Sequence, residues 1–551
     1  MTLRQLRAQL AADQELGVGN VLSTLVAHTG DDAESGLTFD SAVDDHPAWY
    51  RMTLAELDRA VAARAAWFHA LGVQPRDPVA VYVTTAADQV LAFFALTRIG
   101  AIPALVNANM DGTTARAYLG KVQPRWLFTD AAHGERLGTE PLAGVLHGDI
   151  ADAAGGDPRQ APPQYRFHPT DAAVITHSSG TTGLPKPVLA THASLFAATR
   201  HRLSLPRPRT IDRMLSALPA NHAAMVIAVT LALCSGIELL MLSDQDGRKV
   251  LDAVQRWKPS CVFGFAATWP QLVAQDLGRY DLDSVQMWWN TGDAAHEAHI
   301  RKLVTVGHRV VPERGGVGRL DGATFMDGLG SSEMGHSMFF ITHTPETDRY
   351  NRCIGKPHAF AEVAVLDDLG LPLPTGRIGE LGVKSPTLSP GYWNDSLTTC
   401  RTRRSGYFLT GDLVYRDEAG YYYHVDRVVD TVHLEGGRHL HTAQCEEQVL
   451  ARCPELLDCT VIAVARPDGT VATDILVSLA AGSRTPDDLD ARVRGALDDH
   501  VAATVCNVTV VDDEDIPHGP TGKVRKAILR ERYKDGTLRP AVPAGGKAET
   551  V

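Results

Sequence analysis

The sequence predicts an α/β protein: a large N-terminal domain of doubly covered, mostly parallel sheets with a small β-barrel-like subdomain, then a small mobile α+β C-terminal domain. Three observations predict it. From Asp77 onward, runs of continuous Val/Ile/Leu character alternate with helical stretches, the pattern of parallel strands buried on both faces. From Glu362 the runs become short and alternating, punctuated by Gly and Pro, as antiparallel strands are. The chain has 551 residues, too many for one hydrophobic core.

Taken in order, the pattern places a strand over 79–83, a helix over 86–99 and a strand over 102–105, with further strands over 125–128, 172–176, 261–265 and 285–289. Residues 223–242 are apolar except for Thr230, Ser235 and Glu238. A membrane span there would bury Glu238 and carry Gly236, so the expected form is a buried helix, a turn at Ser235-Gly236 and a short core strand through Met241. Short strands follow over 362–367, 380–383 and 421–425. A boundary near Asp426–Asp430 divides a core domain, 1–425, from a mobile domain, 426–535. The latter reads as a helix over 443–453, strands over 459–465 and 474–479, a helix over 486–500 and a strand over 507–511. Residues 536–551 are low in bulky apolars and read as a flexible tail.

Composition narrows the function. The chain is 44% hydrophobic and 21% charged, ordinary for a globular protein. A net charge of −12 argues against nucleic acid and anionic membranes as partners. Residues 1–21 are charged and amphipathic rather than a short apolar block, so no secretory signal is expected and the expected location is cytoplasmic. The eight cysteines form no CxxC pair and no His-interleaved spacing, so neither disulfides nor structural zinc are expected.

The chemistry begins at Ile175-Thr-His-Ser-Ser-Gly-Thr-Thr-Gly-Leu-Pro-Lys186, between an apolar strand and a helix-like stretch after Thr191. Ser178, Ser179, Gly180, Thr181, Thr182 and Gly183 offer backbone N–H groups and hydroxyls to a bound anion, and Lys186 adds a point charge. This is not a Walker loop, because there is no Gly-Lys-Ser/Thr and the lysine follows Leu-Pro. A polar linker would not require the strand before it and the helix after it.

The segment resembles the phosphate-loop signature of the adenylate-forming superfamily, which holds acyl-CoA synthetases, luciferases and the adenylation domains of peptide synthetases. The likeness continues in order: Pro219-Ala-Asn-His222, Asn290-Thr-Gly-Asp-Ala294, Gly328-Leu-Gly-Ser-Ser-Glu333, Gly391-Tyr-Trp-Asn394, Thr410-Gly-Asp412, Asp426-Arg427 with Asp430, and Pro517-His-Gly-Pro-Thr-Gly-Lys523. By this resemblance Thr181, Thr182 and Lys186 hold the β- and γ-phosphates of ATP, and Glu333 contributes to Mg²⁺ binding. Gly328, Leu329, Gly330, Ser331 and Ser332 belong to the nucleotide site. Asp412 accepts hydrogen bonds from the ribose diol, and Arg427 binds ribose or phosphate. Asn221, His222, Thr291, Gly292 and Asp293 line the substrate pocket, beside Asn290, Trp288 and Trp289. Lys523 is the catalytic lysine, bridging the α-phosphate and the attacking carboxylate, where positioned charge stabilises the transition state. Asp430 fills the hinge about which the C-terminal domain swings, and Gly436 and Gly437 fill the loop that lines a thiol tunnel.

The departures are equally specific. Pro187 stands where the family usually has Gly, and Val429 where Lys is frequent. Leu329 replaces a Tyr that stacks on adenine, a loss of about 1 kcal/mol. Residues 438–446 lack the usual Pro-x-Glu. The ATP half of the signature is therefore strong, while the thiol-accepting half is degraded.

The resemblance implies an AMP-forming, acid–CoA ligase-like enzyme. It would adenylate a small polar or aromatic carboxylic acid with release of pyrophosphate, using ATP and Mg²⁺, and pass the acyl group to CoA. Two other acceptor chemistries stay open: transfer to an acyl carrier protein, and activation of nitrite for diazotisation of an aryl amine. A degenerate adenylate-binding regulator is the non-enzymatic alternative, and the joint presence of Lys186, Glu333, Asp412, Arg427 and Lys523 argues against it.

Overall fold

The computed structural model describes residues 2–29, 35–178, 183–206, 211–313, 316–480 and 483–534. Among the described residues, two large sheets carry the N-terminal part. The first runs Gly391–Tyr392, Pro187–Thr191, Ala172–His177, Ile102–Leu105, Pro78–Tyr82, Trp126–Thr129, Leu146–Asp149. Its last five strands are parallel, whereas Pro187–Thr191 returns antiparallel along Ala172–His177. That reversal folds the phosphate-loop segment back over the strand it leaves.

The second sheet has a parallel block ordered Thr324–Asp327, Met287–Thr291, Cys261–Phe265, Arg213–Ser216, Glu238–Met241, Gly36–Phe39. One apolar cluster joins the facing sides of both sheets, with Val79, Val81 and Val174 from the first and Leu239 and Phe263 from the second. Helices Ala86–Arg98, His192–Ser204 and Ala223–Ser235 contribute to the same cluster.

Local signals explain these helices. His192–Ser204 starts at a capping box between Thr191 and Ser194, which satisfies backbone N–H groups that the first turn leaves open. Ala223–Ser235 is buried along its whole length and ends on Gly236 at φ +66°, whose N–H returns to Ala232 O. A residue with a Cβ is disfavoured at that left-handed cap. The strand Glu238–Met241 follows, as the apolar pattern predicts. No helix among the described residues is long and apolar enough to cross a membrane.

The strands after Glu362 are antiparallel, as expected, but they do not close a barrel. Glu362–Leu366, Gly379–Lys384, Tyr407–Arg416, Tyr422–Arg427, Cys353–Pro357 and Phe339–His343 continue the second sheet outward from Thr324–Asp327. The physical reason is Phe339–His343, which pairs with Thr324–Asp327 on one side and Cys353–Pro357 on the other, tying the short strands to the large sheet. The strand Met287–Thr291 lies two residues later than the apolar run suggests, because polar Asn290 and Thr291 remain in the ladder.

After Arg427 the chain forms a three-stranded sheet, Leu456–Ala465, Val471–Leu479 and Val505–Val510, covered by helices Thr442–Arg452 and Leu489–Ala496. The helix expected over 486–500 is broken: Leu497 turns extended and Asp498 precedes a second short helix, Asp499–Ala502. Asp426 and Arg427 themselves still pair with Leu413 and Asp412 in the large sheet.

Candidate active site

A cavity of about 460 Å³ lies where the C-terminal ends of Cys261–Phe265 and Met287–Thr291 meet the phosphate-loop segment, the 328–333 turn and Lys523. Ligands of open α/β sheets bind at such strand ends. The neck of the phosphate loop is braced twice. Ser178 N–H donates to Lys186 O at 3.0 Å, and Lys186 N–H donates to Ser178 Oγ at 3.0 Å. Ser179, Gly180, Thr181 and Thr182 lie outside the described residues. Gly183 follows at φ +155°, and Lys186 Nζ sits 5.4 Å from the centre of the Tyr392 ring.

Tyr392 Oη also donates to Glu333 Oε1 at 2.9 Å. Burial, then the Glu333 carboxylate, push the phenol well above its ordinary range, so it remains a donor. Behind Glu333, His222 Nδ1 accepts from Ala224 N–H at 3.1 Å, leaving Nε2 to carry the proton toward Ser332 Oγ at 3.2 Å. Ser332 Oγ in turn donates to His177 O at 2.8 Å. Burial chiefly, then the charges of His177 and Lys523, bring His222 down to about 3. It is therefore a neutral, tautomer-fixed donor at neutral pH.

The Lys523 end is dense with charge. Lys523 Nζ lies 3.4 Å from Asp293 Oδ2, and Arg352 Nη2 lies 3.4 Å from Asp293 Oδ1. Burial alone would raise the Asp293 carboxyl. Lys523, His424, Arg352 and Arg427 together outweigh it and hold Asp293 well below the usual carboxylate range. Lys523 is presented by a tight loop: Gly519 N–H donates to Lys523 O at 2.7 Å, Gly522 sits at φ +77°, and Asn107 Nδ2 holds Pro520 O at 3.0 Å. A Cβ at position 522 would come within 2.9 Å of Ala267 Cβ.

Asp412 is 7% exposed and lies 3.0 Å from Arg427 Nε, while Arg427 Nε also donates to Gly411 O at 3.2 Å. Burial raises the Asp412 carboxyl, but Arg427 and His424 bring it below the ordinary value. Gly328, Leu329, Gly330, Ser331, Ser332 and Glu333 form one wall of the cavity, with Thr291, Gly292 and Asp293 beside them. Thr291 and Ser337 hydroxyls meet at 3.0 Å. Gly292 takes φ +91° and its carbonyl accepts from Gly330 N–H at 3.1 Å, tying the two loops together. Leu329 is buried beside Ala294 and Phe339.

Some expected residues lie elsewhere. Asn221 does not line this cavity; it lines a separate small cleft with Asn107 and Asn109. The chain turns at 219–222 so that His222, the N-cap of the next helix, faces inward instead. Trp288 is also turned away, donating its Nε1–H to Leu303 O at 2.9 Å, whereas Trp289 faces the cavity. Asp430 is pinned by Arg530 Nη2 at 2.5 Å. Gly436 and Gly437 sit at φ +74° and +72° on an exposed turn, with no atom within 4 Å of a built Cβ and neither of them lining the cavity.

The structure adds residues that the motifs did not single out. Asp327 is buried under the cavity floor, accepting from Asn290 Nδ2 and from Gly328 N–H, and burial raises it to about 7. His424 and Arg352 bond each other at 2.8 Å and face Asp293. Arg202 enters from helix His192–Ser204 at the far end. Asp327 and His424 adjoin the 328–333 and 426–427 motifs, whereas Arg352 and Arg202 come from elements distant from every motif, so spacing carries no signal for those two.

Comparison with known proteins agrees with this arrangement. Residues 38–393 match the AMP-binding enzyme family. The chain is 44% identical over 553 aligned positions to a 3-aminoavenalumate diazotase of Streptomyces sp., covering 96% of this chain and 98% of that one. It is 26% identical to a feruloyl-CoA synthase of Amycolatopsis sp., over 88% of this chain and 94% of that one. An anthranilate CoA ligase solved with anthranoyl-AMP superposes with a TM-score of 0.80 at 19% identity, covering 98% of this chain and 100% of that one. The chain belongs to the AMP-binding enzymes, the adenylate-forming superfamily, and is an ATP-dependent, AMP-forming enzyme of that class.

Proposed function

We propose that the chain activates nitrite as its adenylate and passes the nitroso group to an aromatic amine, making a diazonium product. The observation that carries this reading is the 44% likeness, over nearly the whole of both chains, to a diazotase. A second diazotase, named for 3-amino-2-hydroxy-4-methoxybenzoate and from Streptomyces cremeus, is 28% identical over 91% of this chain and 93% of that one.

In this reading a nitrite oxygen attacks the α-phosphorus of ATP, and the bond to pyrophosphate breaks. Lys523 moves from Asp293 onto the incoming anion and the α-phosphate, where charge accumulates. Arg352, which also reaches Asp293, keeps that carboxylate paired when the lysine leaves it. Lys186 and the 178–183 segment hold the β- and γ-phosphates, and Asp412 the ribose diol. Mg²⁺ would be held by Glu333 together with the phosphates. One carboxylate suits an ion that keeps most of its shell as phosphate and water, and it would neutralise phosphate charge. The amine nitrogen then attacks the nitroso nitrogen, and AMP leaves with the bridging oxygen. The resulting nitrosoammonium adduct loses one proton to give the nitrosamine, which tautomerises to the diazohydroxide and, taking up a proton, sheds water to give the diazonium ion.

A second reading, acid–CoA ligation, is supported by the exposed Gly436-Gly437 turn, which lacks any Cβ where a pantetheine arm would pass, and by the feruloyl-CoA synthase likeness. One experiment separates the two. Pyrophosphate release is measured with ATP, nitrite and aminocinnamate, omitting each in turn, with azo coupling to detect diazonium. Turnover that needs both nitrite and amine is expected. Nitrite-independent pyrophosphate release with thioester formation on adding CoA would overturn it in favour of the ligase.

A further inference from the structure

The cavity has a second end, away from Lys523. Trp289 lies two residues before Thr291 on the same face of its strand, about 7 Å deeper at roughly 3.3 Å per residue. Its ring packs at 4.5 Å on Phe263 and carries the Arg202 guanidinium 4.8 Å from its centre. Between this end and Thr291 the wall is apolar: Phe263, Ala224, Ala228 and Ile227 line it. Ala224 and Ala228 stand one helical turn apart on the same face, and both line the cavity along with Trp289.

Arg202 is unusual in this setting. Its backbone is fixed at the end of its helix, where Arg7 Nη2 donates to Arg202 O at 2.9 Å. Its side chain lines the cavity, Nε is buried without a hydrogen-bond partner, and no carboxylate pairs with it among the described residues. Burial alone pulls the guanidinium down to about 10. His336 and His358 beside it are held near 3, each by burial first and then by the Arg202 charge, so they stay neutral. A purely structural arginine would show an acid partner or a saturated set of carbonyls. The cation–π contact with Trp289 offsets only part of the cost of burying the charge. A planar fork of donors facing a cavity matches a carboxylate with two parallel hydrogen bonds.

We infer that Arg202 anchors a carboxylate carried by the aromatic amine, at the end of the ring system remote from the reacting nitrogen. This rests on the nitrite reading, because there the amine and not the carboxylate must face the adenylate. The apolar lining then carries the ring, and the separation of Arg202 from Asp293 and Lys523 sets the distance between carboxylate and amine. Arg202 is a specificity residue, not part of the chemistry.

The test is binding, scored apart from turnover. Isothermal titration of the full chain with 3-aminocinnamate and with its neutral carboxamide is compared for wild type, R202M, R202Q and R202K. Wild type is expected to prefer the acid by at least tenfold. R202M and R202Q should weaken the acid roughly 10²-fold, leave the amide unchanged and close the gap, and R202K should restore part of it. Equal acid and amide affinity in wild type overturns the inference without any variant. So does a parallel loss of both ligands in a folded variant. Nitrite dependence of wild-type turnover is measured separately: it decides the reaction, whereas the acid–amide difference decides Arg202.

Discussion

Two loops of the C-terminal part, both built on positive-φ glycines, differ in what they touch. The 519–523 loop presses its Gly522 against Ala267 and aims Lys523 at Asp293, 3.4 Å away. The Gly436-Gly437 turn projects into solvent. The first is held by long-range contacts, including Asn107 to Pro520 O and, through the following helix, Lys526 to Glu446 at 2.7 Å and Arg530 to Asp430. The second tops a short hairpin, Val432–His433 with His439–Leu440, whose Leu440 is buried in the core of the C-terminal part while the glycines themselves are exposed. One conformation of the chain thus commits one loop to the cavity and leaves the other idle. A loop's sequence can specify a turn, but only its docking partners say whether the turn is in use.

The sharpest way to break that contrast is at Lys523. K523A should slow adenylate formation about 10²–10³-fold, measured by ATP–pyrophosphate exchange, while ATP binding stays near wild type. The fold should tolerate it, since Arg352 still balances Asp293. Exchange at near wild-type rate would remove the lysine from the mechanism.

A smaller effect is expected at Asp412. Truncation to Ala would remove the carboxylate nearest to Arg427 and disturb its position as well as the ribose contact, so D412N is the cleaner change. It should raise KM for ATP by about tenfold with a lesser change in kcat, because a ribose contact is made in ground and transition states alike. An unchanged KM in the folded variant would rule out the ribose role.

The least effect on the first half-reaction is expected at the exposed turn. G437W strains a left-handed position by about 1 kcal/mol but meets no neighbour, so pyrophosphate exchange should match wild type. If CoA is the acceptor, thioester formation should fall while exchange does not. If nitrite and an amine are the substrates, both half-reactions should survive the indole, measured by azo coupling.

The sequence by itself determined the parallel α/β core, because continuous apolar runs such as 261–265 admit few other environments. It also marked Ser178, Lys186 and the 328–333 turn, which the structure brings to one cavity, because each lies in a contiguous run of glycines and hydroxyls. It also placed the buried helix ahead of Gly236, where a single residue ends the pattern. What it did not determine depends on pairs distant along the chain. The antiparallel strands after Glu362 extend a sheet instead of closing a barrel because Phe339–His343 bridges them to Thr324–Asp327, and strand order is a long-range property. Asn221 and His222 are adjacent, yet only His222 faces the cavity, since the helix it caps sets the direction of its side chain. Arg202 meets Trp289 only when a helix packs across a sheet. In the sequence Arg202 is one of many arginines. A place against the cavity with no carboxylate pair among the described residues is what distinguishes it, and that is decided by the tertiary structure alone.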